Sequence, residues 1–257
     1  MSYITTLART DADTTTAATL VAVKAKIGLV PNLYATLAKA PAALNSLLQQ
    51  NDAIGAGKLS GKEREIVALA TSQTNGCQYC VSAHTLLGKM AGLNPEQIAH
   101  ARAGAGNDQR GHAIAALATA LVNQRGHVDT AVLDSFKADG LSEGDILEVI
   151  ANVAATTLTN YTNNLARTEI DFPVVAMQLA ACHLKHNEAL IATHAPPTGR
   201  RVGGEWVAQQ TDAHPLKACT LNGLLNRLSR RVGQPHGVVS RRRLLVEGGQ
   251  GPGLGQR

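Results

Sequence analysis

Between residues 11 and 172 no run of β-branched residues alternates with polar ones between turn signals, while signals that open and close helices recur throughout. That contrast predicts an all-α domain. Pro31 and Pro41 stand in the first turn of helices expected over about 31–39 and 41–55, where proline is tolerated, and Gly55 and Gly57 end the second of them. A first helix is expected over about 13–27. Ser60-x-x-Glu63 reads as a capping box that opens a helix to about residue 74, with Ile66, Val67, Leu69 and Ala70 as its apolar face. Asn75-Gly76 breaks that helix, the next runs over about 77–91, and Gly92 stops it. Asn94-Pro95-x-Gln97 caps a short helix to about 103, and two more follow over about 108–125 and 129–139. Ser142 and Asp145 begin a last helix that carries Ile146, Val149, Ile150 and Val153, and Pro173 closes the pattern. No solenoid-length repeat is present.

The 257 residues are 44% hydrophobic and 17% charged, enough apolar material for one large domain or two small ones. Aromatic residues make up only 3%, so stacking platforms for single-stranded nucleic acid have little to be built from. No apolar stretch reaches bilayer length, and residues 1–10 lack the basic and apolar regions of a secretory leader. A cytoplasmic protein with no membrane partner is expected. The formal charge of +5 is unevenly placed: residues 1–182 hold 13 Lys and Arg against 15 Asp and Glu, and residues 183–257 hold 11 against 4. The same tail has 11 of the 24 Gly and five of the nine Pro, with Arg241, Arg242 and Arg243 in succession. Residues 1–182 are therefore read as the helical domain, and 183–257 as a basic, Gly/Pro-rich, disordered tail with one helix-like stretch over about 216–231. Its arginines fit an arm for nucleic acid or an acidic partner. The abrupt change of composition fits better a shifted or extended reading frame, a non-native origin under which nucleic acid is not a partner.

Four cysteines are too few for a disulfide-stapled secreted scaffold, and Cys77 and Cys80 form a C-x-x-C, which in a cytosolic chain points to redox or metal chemistry. The motif falls at a helix start. Helical spacing puts Cys77, Cys80 and His84 along one side, with Cys80 and His84 one turn apart. A first-turn position favours the thiolate through the helix dipole and unpaired N–H groups, an imidazole can take the thiol proton, and a carboxylate can orient that imidazole. Glu65 suits the last role better than Glu63, because the capping box already accounts for Glu63.

The pattern Glu-x11-Cys-x2-Cys-x3-His, formed by Glu65, Cys77, Cys80 and His84, resembles that of the AhpD-like alkylhydroperoxidases of the carboxymuconolactone decarboxylase superfamily. The resemblance spans roughly the first 180 residues. It implies an all-α helical bundle that assembles into trimers or hexamers and reduces organic hydroperoxides with a cysteine pair. It also implies that Cys80 attacks the peroxide, that Cys77 resolves the product, and that His84 and Glu65 relay protons. The decarboxylase branch lacks the cysteine pair. No metal or organic cofactor is implied, and the pair would be reduced by a dithiol or a lipoyl-bearing protein. Tyr79 stands where the best-known members carry a second His, and it either lines the peroxide pocket or packs between helices.

Other readings use the same residues. A C-x-x-C followed by His supplies most of a zinc site, although no second C-x-x-C or H-x3-H provides the fourth ligand, and a redox-sensing or zinc-binding regulatory module would use the thiols without turnover. Two buried structural cysteines are the plainest alternative. Asn160, Tyr161, Asn163 and Asn164 form a polar cluster that either lines a pocket or solvates a helix end. His100, His112, His127, Cys182 and Cys219 are isolated and are given no role.

Overall fold

The computed structural model describes residues 2–179 and, beyond them, residues 199–202 and 205–208. After a single 3-10 turn at Arg9–Asp11, nine α-helices follow among the described residues: α1 (Thr14–Ile27), α2 (Asn32–Leu37), α3 (Pro41–Gly55), α4 (Gly61–Thr74), α5 (Gln78–Met90), α6 (Pro95–Arg102), α7 (Gln109–Gln124), α8 (Thr130–Ala138) and α9 (Glu143–Ala166). The all-α expectation for the domain holds, and the helix starts lie where the capping residues place them. Ser60, Asn94 and Ser142 each close a reciprocal capping box with Glu63, Gln97 and Asp145.

Helix α4 is the axis of the domain and packs against α5, α6, α7 and α9. Its residues Val67, Leu69 and Ala70 are fully buried, because the helix is surrounded rather than laid on a surface. One core gathers Val67, Ala70, Ile114, Leu117, Phe136 and Val149 from α4, α7, α8 and α9, with Leu59 and Leu141 from the loops just before the caps of α4 and α9. A second core gathers Leu20, Leu33, Leu37, Leu44 and Leu47 from α1 to α3 around Cys77, Tyr79 and Cys80.

Three features depart from the sequence reading. Helix α9 ends at Ala166, short of Pro173, because Arg167 turns left-handed (φ 52°) and its N–H bonds back to the Asn163 carbonyl. Residues 168–179 then run as a strap without helix or strand. Arg102 donates to the carbonyls of Ala176 and Met177 (2.7 and 3.2 Å), Gln78 to that of Val175 (3.1 Å), and the Val175 N–H to Ser82 Oγ (3.0 Å). Second, Ile150 is largely exposed, as are Leu147, Tyr161 and Leu165, while Asn152, Thr156, Asn160 and Asn163 are buried, so part of the apolar material of α9 points outward and polar groups point in. Third, within the tail Gly199–Val202 (β1) and Glu205–Ala208 (β2) pair antiparallel, with Val202 opposite Glu205. The boundary expected at 182/183, the helix-like stretch over 216–231, Cys182 and Cys219 lie outside the described residues, as does the rest of the tail.

Candidate active site

The site is built where α4 turns into α5. Gly76 takes φ 64°, a conformation that costs glycine little, and the chain reverses there so that α5 runs back along α4. Cys77 is the N-cap of α5, and its Sγ accepts the backbone N–H of Cys80 at 3.4 Å. This reversal sets Glu65, on α4, against His84, on α5: the Glu65 Oε2 to His84 Nδ1 distance is 2.8 Å, with both side chains largely buried. Burial opposes charge on His84, but the Glu65 carboxylate and its hydrogen bond outweigh it, and the imidazole pKa is raised. Glu63 is occupied elsewhere: its Oε2 accepts the Ser60 N–H, and its Oε1 accepts from Arg110.

Both cysteines are buried and reduced. The surroundings of Cys80 stabilise a thiolate. The Cys77 thiol donates to its sulfur, the His84 charge lies near, and Asn163 and Asn160 contribute amide donors; together they outweigh burial and bring Cys80 down to about 6. The same bond to Cys80, reinforced by burial, pushes Cys77 up. Asn163 Nδ2 donates to Cys80 Sγ at 3.3 Å, and Thr159 Oγ1 lies 3.8 Å from that sulfur.

Cys80, His84 and Glu65 line a cavity of about 380 Å³ that Cys77 does not line. The walls are largely apolar and partly aromatic, with Leu33, Ile54, Leu87, Tyr34, Tyr79 and Phe172 among them. Tyr79 does both things the sequence left open: it lines the cavity and it packs. Its ring meets Phe172 edge-on at 5.5 Å, its hydroxyl accepts the Leu33 N–H at 3.2 Å, and burial together with a bond to the Asp171 carboxylate keeps the phenol protonated. Asp171 also accepts the Asn32 N–H at 2.7 Å, so the strap, α2 and α5 meet at this residue.

All five residues singled out in the sequence thus meet in one place. The polar cluster of α9 divides: Asn160 and Asn163 are buried behind Cys80, whereas Tyr161 and Asn164 face outward. Thr159 and Asn163 as neighbours of the sulfur were not read from the sequence. The available signal was the spacing of Asn152, Thr156, Asn160 and Asn163, which puts four polar side chains on one stripe of a long helix. Among the described residues no group of three or more His, Cys, Asp or Glu is arranged to hold a metal ion, and no helix is long and apolar enough to cross a membrane.

Residues 38–114, which include the whole constellation from Glu65 to His84, match the family model described as "Carboxymuconolactone decarboxylase family". The fold is AhpD-like. It is similar to that of the alkylhydroperoxidase AhpD core of an uncharacterized peroxidase-related protein from Ralstonia eutropha JMP134, with a TM-score of 0.59 and 22% identity over 71% of this chain and 94% of that one. A peroxidase-related protein from Silicibacter sp. TM1040 is similar at a TM-score of 0.58 and 21% identity over 65% of this chain and 91% of that one. A cysteine-to-alanine variant of the debrominase Bmp8 in complex with 2,3,4-tribromopyrrole is similar at a TM-score of 0.57 and 19% identity over 74% of this chain and 98% of that one. No curated protein sequence matches the chain. The resemblance read from the motif therefore holds, in the matched segment and in the fold.

Proposed function

We propose that the chain is a thiol-dependent reductase of organic hydroperoxides, in which Cys80 is the nucleophile, Cys77 the resolving thiol, and His84 with Glu65 the proton relay. The observation that carries this reading is the position of Cys80: a sulfur with a lowered pKa, facing an apolar cavity that it shares with a carboxylate-paired imidazole. The Cys80 thiolate attacks the terminal peroxide oxygen, an S–O bond forms as the O–O bond breaks, and the departing alkoxide takes the proton held by His84. Cys77 then attacks the sulfenic sulfur, closing a disulfide and releasing water. A dithiol or lipoyl-bearing protein returns the pair to the reduced state. The outward-facing Leu147, Ile150, Tyr161 and Leu165 of α9 support assembly into a homo-oligomer, a trimer or hexamer.

The test is turnover of cumene hydroperoxide with dithiothreitol as reductant. The native chain consumes many equivalents, Cys80→Ser none above background, and Cys77→Ser no more than a slow, dithiothreitol-resolved remainder. Equal turnover by Cys80→Ser and the native chain would remove the proposal. A second reading, reductive removal of halide from a halogenated aromatic ring by the same thiol pair, draws support from the aromatic walls of the cavity and from the debrominase of like fold. Bromide release from 2,3,4-tribromopyrrole in the presence of dithiothreitol, without hydroperoxide turnover, favours that reading.

A further inference from the structure

We propose that Asn163 is a catalytic residue: its side-chain N–H holds the Cys80 sulfur as a thiolate, and its carbonyl oxygen receives the O–H of the sulfenic acid formed on that sulfur. The second half rests on the peroxide chemistry proposed above; the first does not.

Asn163 is 4% exposed and its Nδ2 lies 3.3 Å from Cys80 Sγ. Its Oδ1 is buried and has no hydrogen-bond partner. A buried amide with an unmet acceptor in the last turn of a helix is a cost that a merely structural position would shed in favour of an apolar side chain. The neighbouring amide is satisfied on both sides: Asn160 Nδ2 donates to Ser72 Oγ at 3.1 Å, and Asn160 Oδ1 accepts from Asn75 Nδ2 at 2.9 Å. That pairing ties α9 to the end of α4. The Asn163 carbonyl accepts the Arg167 and Thr168 N–H groups that terminate α9. Asn163 is thereby held from two sides while its oxygen stays unused.

The chemistry at the sulfur explains both ends of the amide. A thiolate only accepts hydrogen bonds, so the Nδ2–H serves it and Oδ1 has nothing to receive. Once S–O formation and O–O cleavage have made Cys80–S–OH, the sulfur carries one new donor, and Oδ1 is a free acceptor on the adjoining carboxamide. The other groups about the sulfur are Cys77 and His84 of α5, the latter paired with Glu65 of α4, and Thr159 and Asn160 of α9. Of these, Cys77 donates a thiol proton that must leave during resolution and the Asn160 amide is shared with Ser72, so the Asn163 N–H, 3.3 Å from the sulfur, is a donor that persists through the cycle.

The experiment uses the full chain carrying Cys77→Ser, so that Cys80 is the only thiol of the pair. Cys80 alkylation by iodoacetamide is followed against pH by peptide mass spectrometry, with Asn163 intact, with Asn163→Leu and with Asn163→Asp. The midpoint is expected to rise by about one to two pH units in Asn163→Leu, and at least as far in Asn163→Asp, whose carboxylate opposes the thiolate. A hydroperoxide pulse followed by dimedone trapping reads the other half: the Cys80 sulfenic acid is several-fold shorter-lived in Asn163→Leu than with Asn163 intact. Folded variants whose Cys80 midpoint stays within a few tenths of a pH unit of the parent overturn the thiolate role. Equal sulfenic lifetimes overturn the second. If Asn163→Leu does not fold, the near-isosteric Asn163→Asp decides the first. Failure of the parent to form any sulfenic acid counts against the peroxide reading and leaves the alkylation result standing.

Discussion

Cys77 and Cys80 compete for the negative charge, and the two draw on different sources. Cys77 sits at the N-cap of α5 and accepts a backbone N–H, an arrangement that by itself favours a thiolate. Cys80 has the His84 charge, the Asn163 amide and the Cys77 thiol proton, and it alone of the two faces the cavity. Access favours Cys80 as the proposed nucleophile, since a buried thiolate that no substrate reaches does no chemistry. Because the Cys80 pKa is lowered by the Cys77 thiol, the His84 charge and the amides, its charged form grows in at lower pH than that of an ordinary thiol. Alkylation of Cys80 in the native chain should therefore rise and level off at correspondingly lower pH, while Cys77 stays unmodified until far higher pH. Replacing Glu65 by Gln removes the group that raises His84 against the effect of burial, so the imidazole pKa falls and the Cys80 midpoint moves up. If the proposed relay operates, hydroperoxide turnover at neutral pH drops by about 100-fold or more, the usual contribution of a positioned acid–base group, and an NMR titration of His84 should show the pKa fall directly.

Among the elements, the α4–turn–α5 unit was the most legible from sequence, because its instructions are local: a capping box at Ser60, a break at Asn75-Gly76 and a spacing that brings Glu65 to His84. Replacing Ser60 by Ala should cost about 1 kcal/mol in denaturant unfolding, the usual value of such a cap. Helix α9 was only half legible. Its start is written in Ser142 and Asp145, but its C-terminus depends on Arg167 adopting a left-handed conformation, which no residue type announces as glycine would. Its polar stripe reads alike as a solvated face or a buried one, and only the packing of α4 and α5 against it decides. The strap was missed for a related reason: its hold on Gln78, Ser82 and Arg102 runs through backbone groups, which leave no pattern in a sequence. Backbone proximity also fixes the α6–α7 junction, where a Cβ on Gly106 would fall 2.2 Å from the His112 nitrogen. Gly106→Ala should accordingly destabilise the chain by several kcal/mol, since main chain cannot step aside as a side chain can. An unfolding midpoint indistinguishable from the native one would contradict that geometry.

At the scale of the molecule, α4, α7 and α9 are clamped by one cation. Arg110 of α7 reaches Glu63 at 2.6 Å and Asp145 at 3.1 Å, joining the capping boxes of α4 and α9. Arg110 holds Asp145 well below the usual carboxylate range; Glu63 is also lowered, because the Ser60 and Arg110 bonds outweigh its burial. Carboxylates lowered by folding bind fewer protons in the native state, so their stabilisation is present above the unfolded pKa of about 4 and is lost as pH falls below it. Arg110→Met is expected to lower stability at neutral pH by roughly 1–2 kcal/mol, and the difference from the native chain should shrink below about pH 4. A difference independent of pH would assign the effect to packing. The clamp keeps α4 fixed, and with it Glu65, while α5 and α9 bring the sulfur, the imidazole and the amide to one cavity. The most direct measurement of the account as a whole is mass spectrometry of the reduced full chain after a near-stoichiometric pulse of cumene hydroperoxide. The account predicts a Cys77–Cys80 disulfide in the native chain, a sulfenic acid on Cys80 in Cys77→Ser, and no oxidation of Cys77 in Cys80→Ser. Both thiols remaining reduced, or a sulfenic acid on Cys77 in place of Cys80, would contradict it.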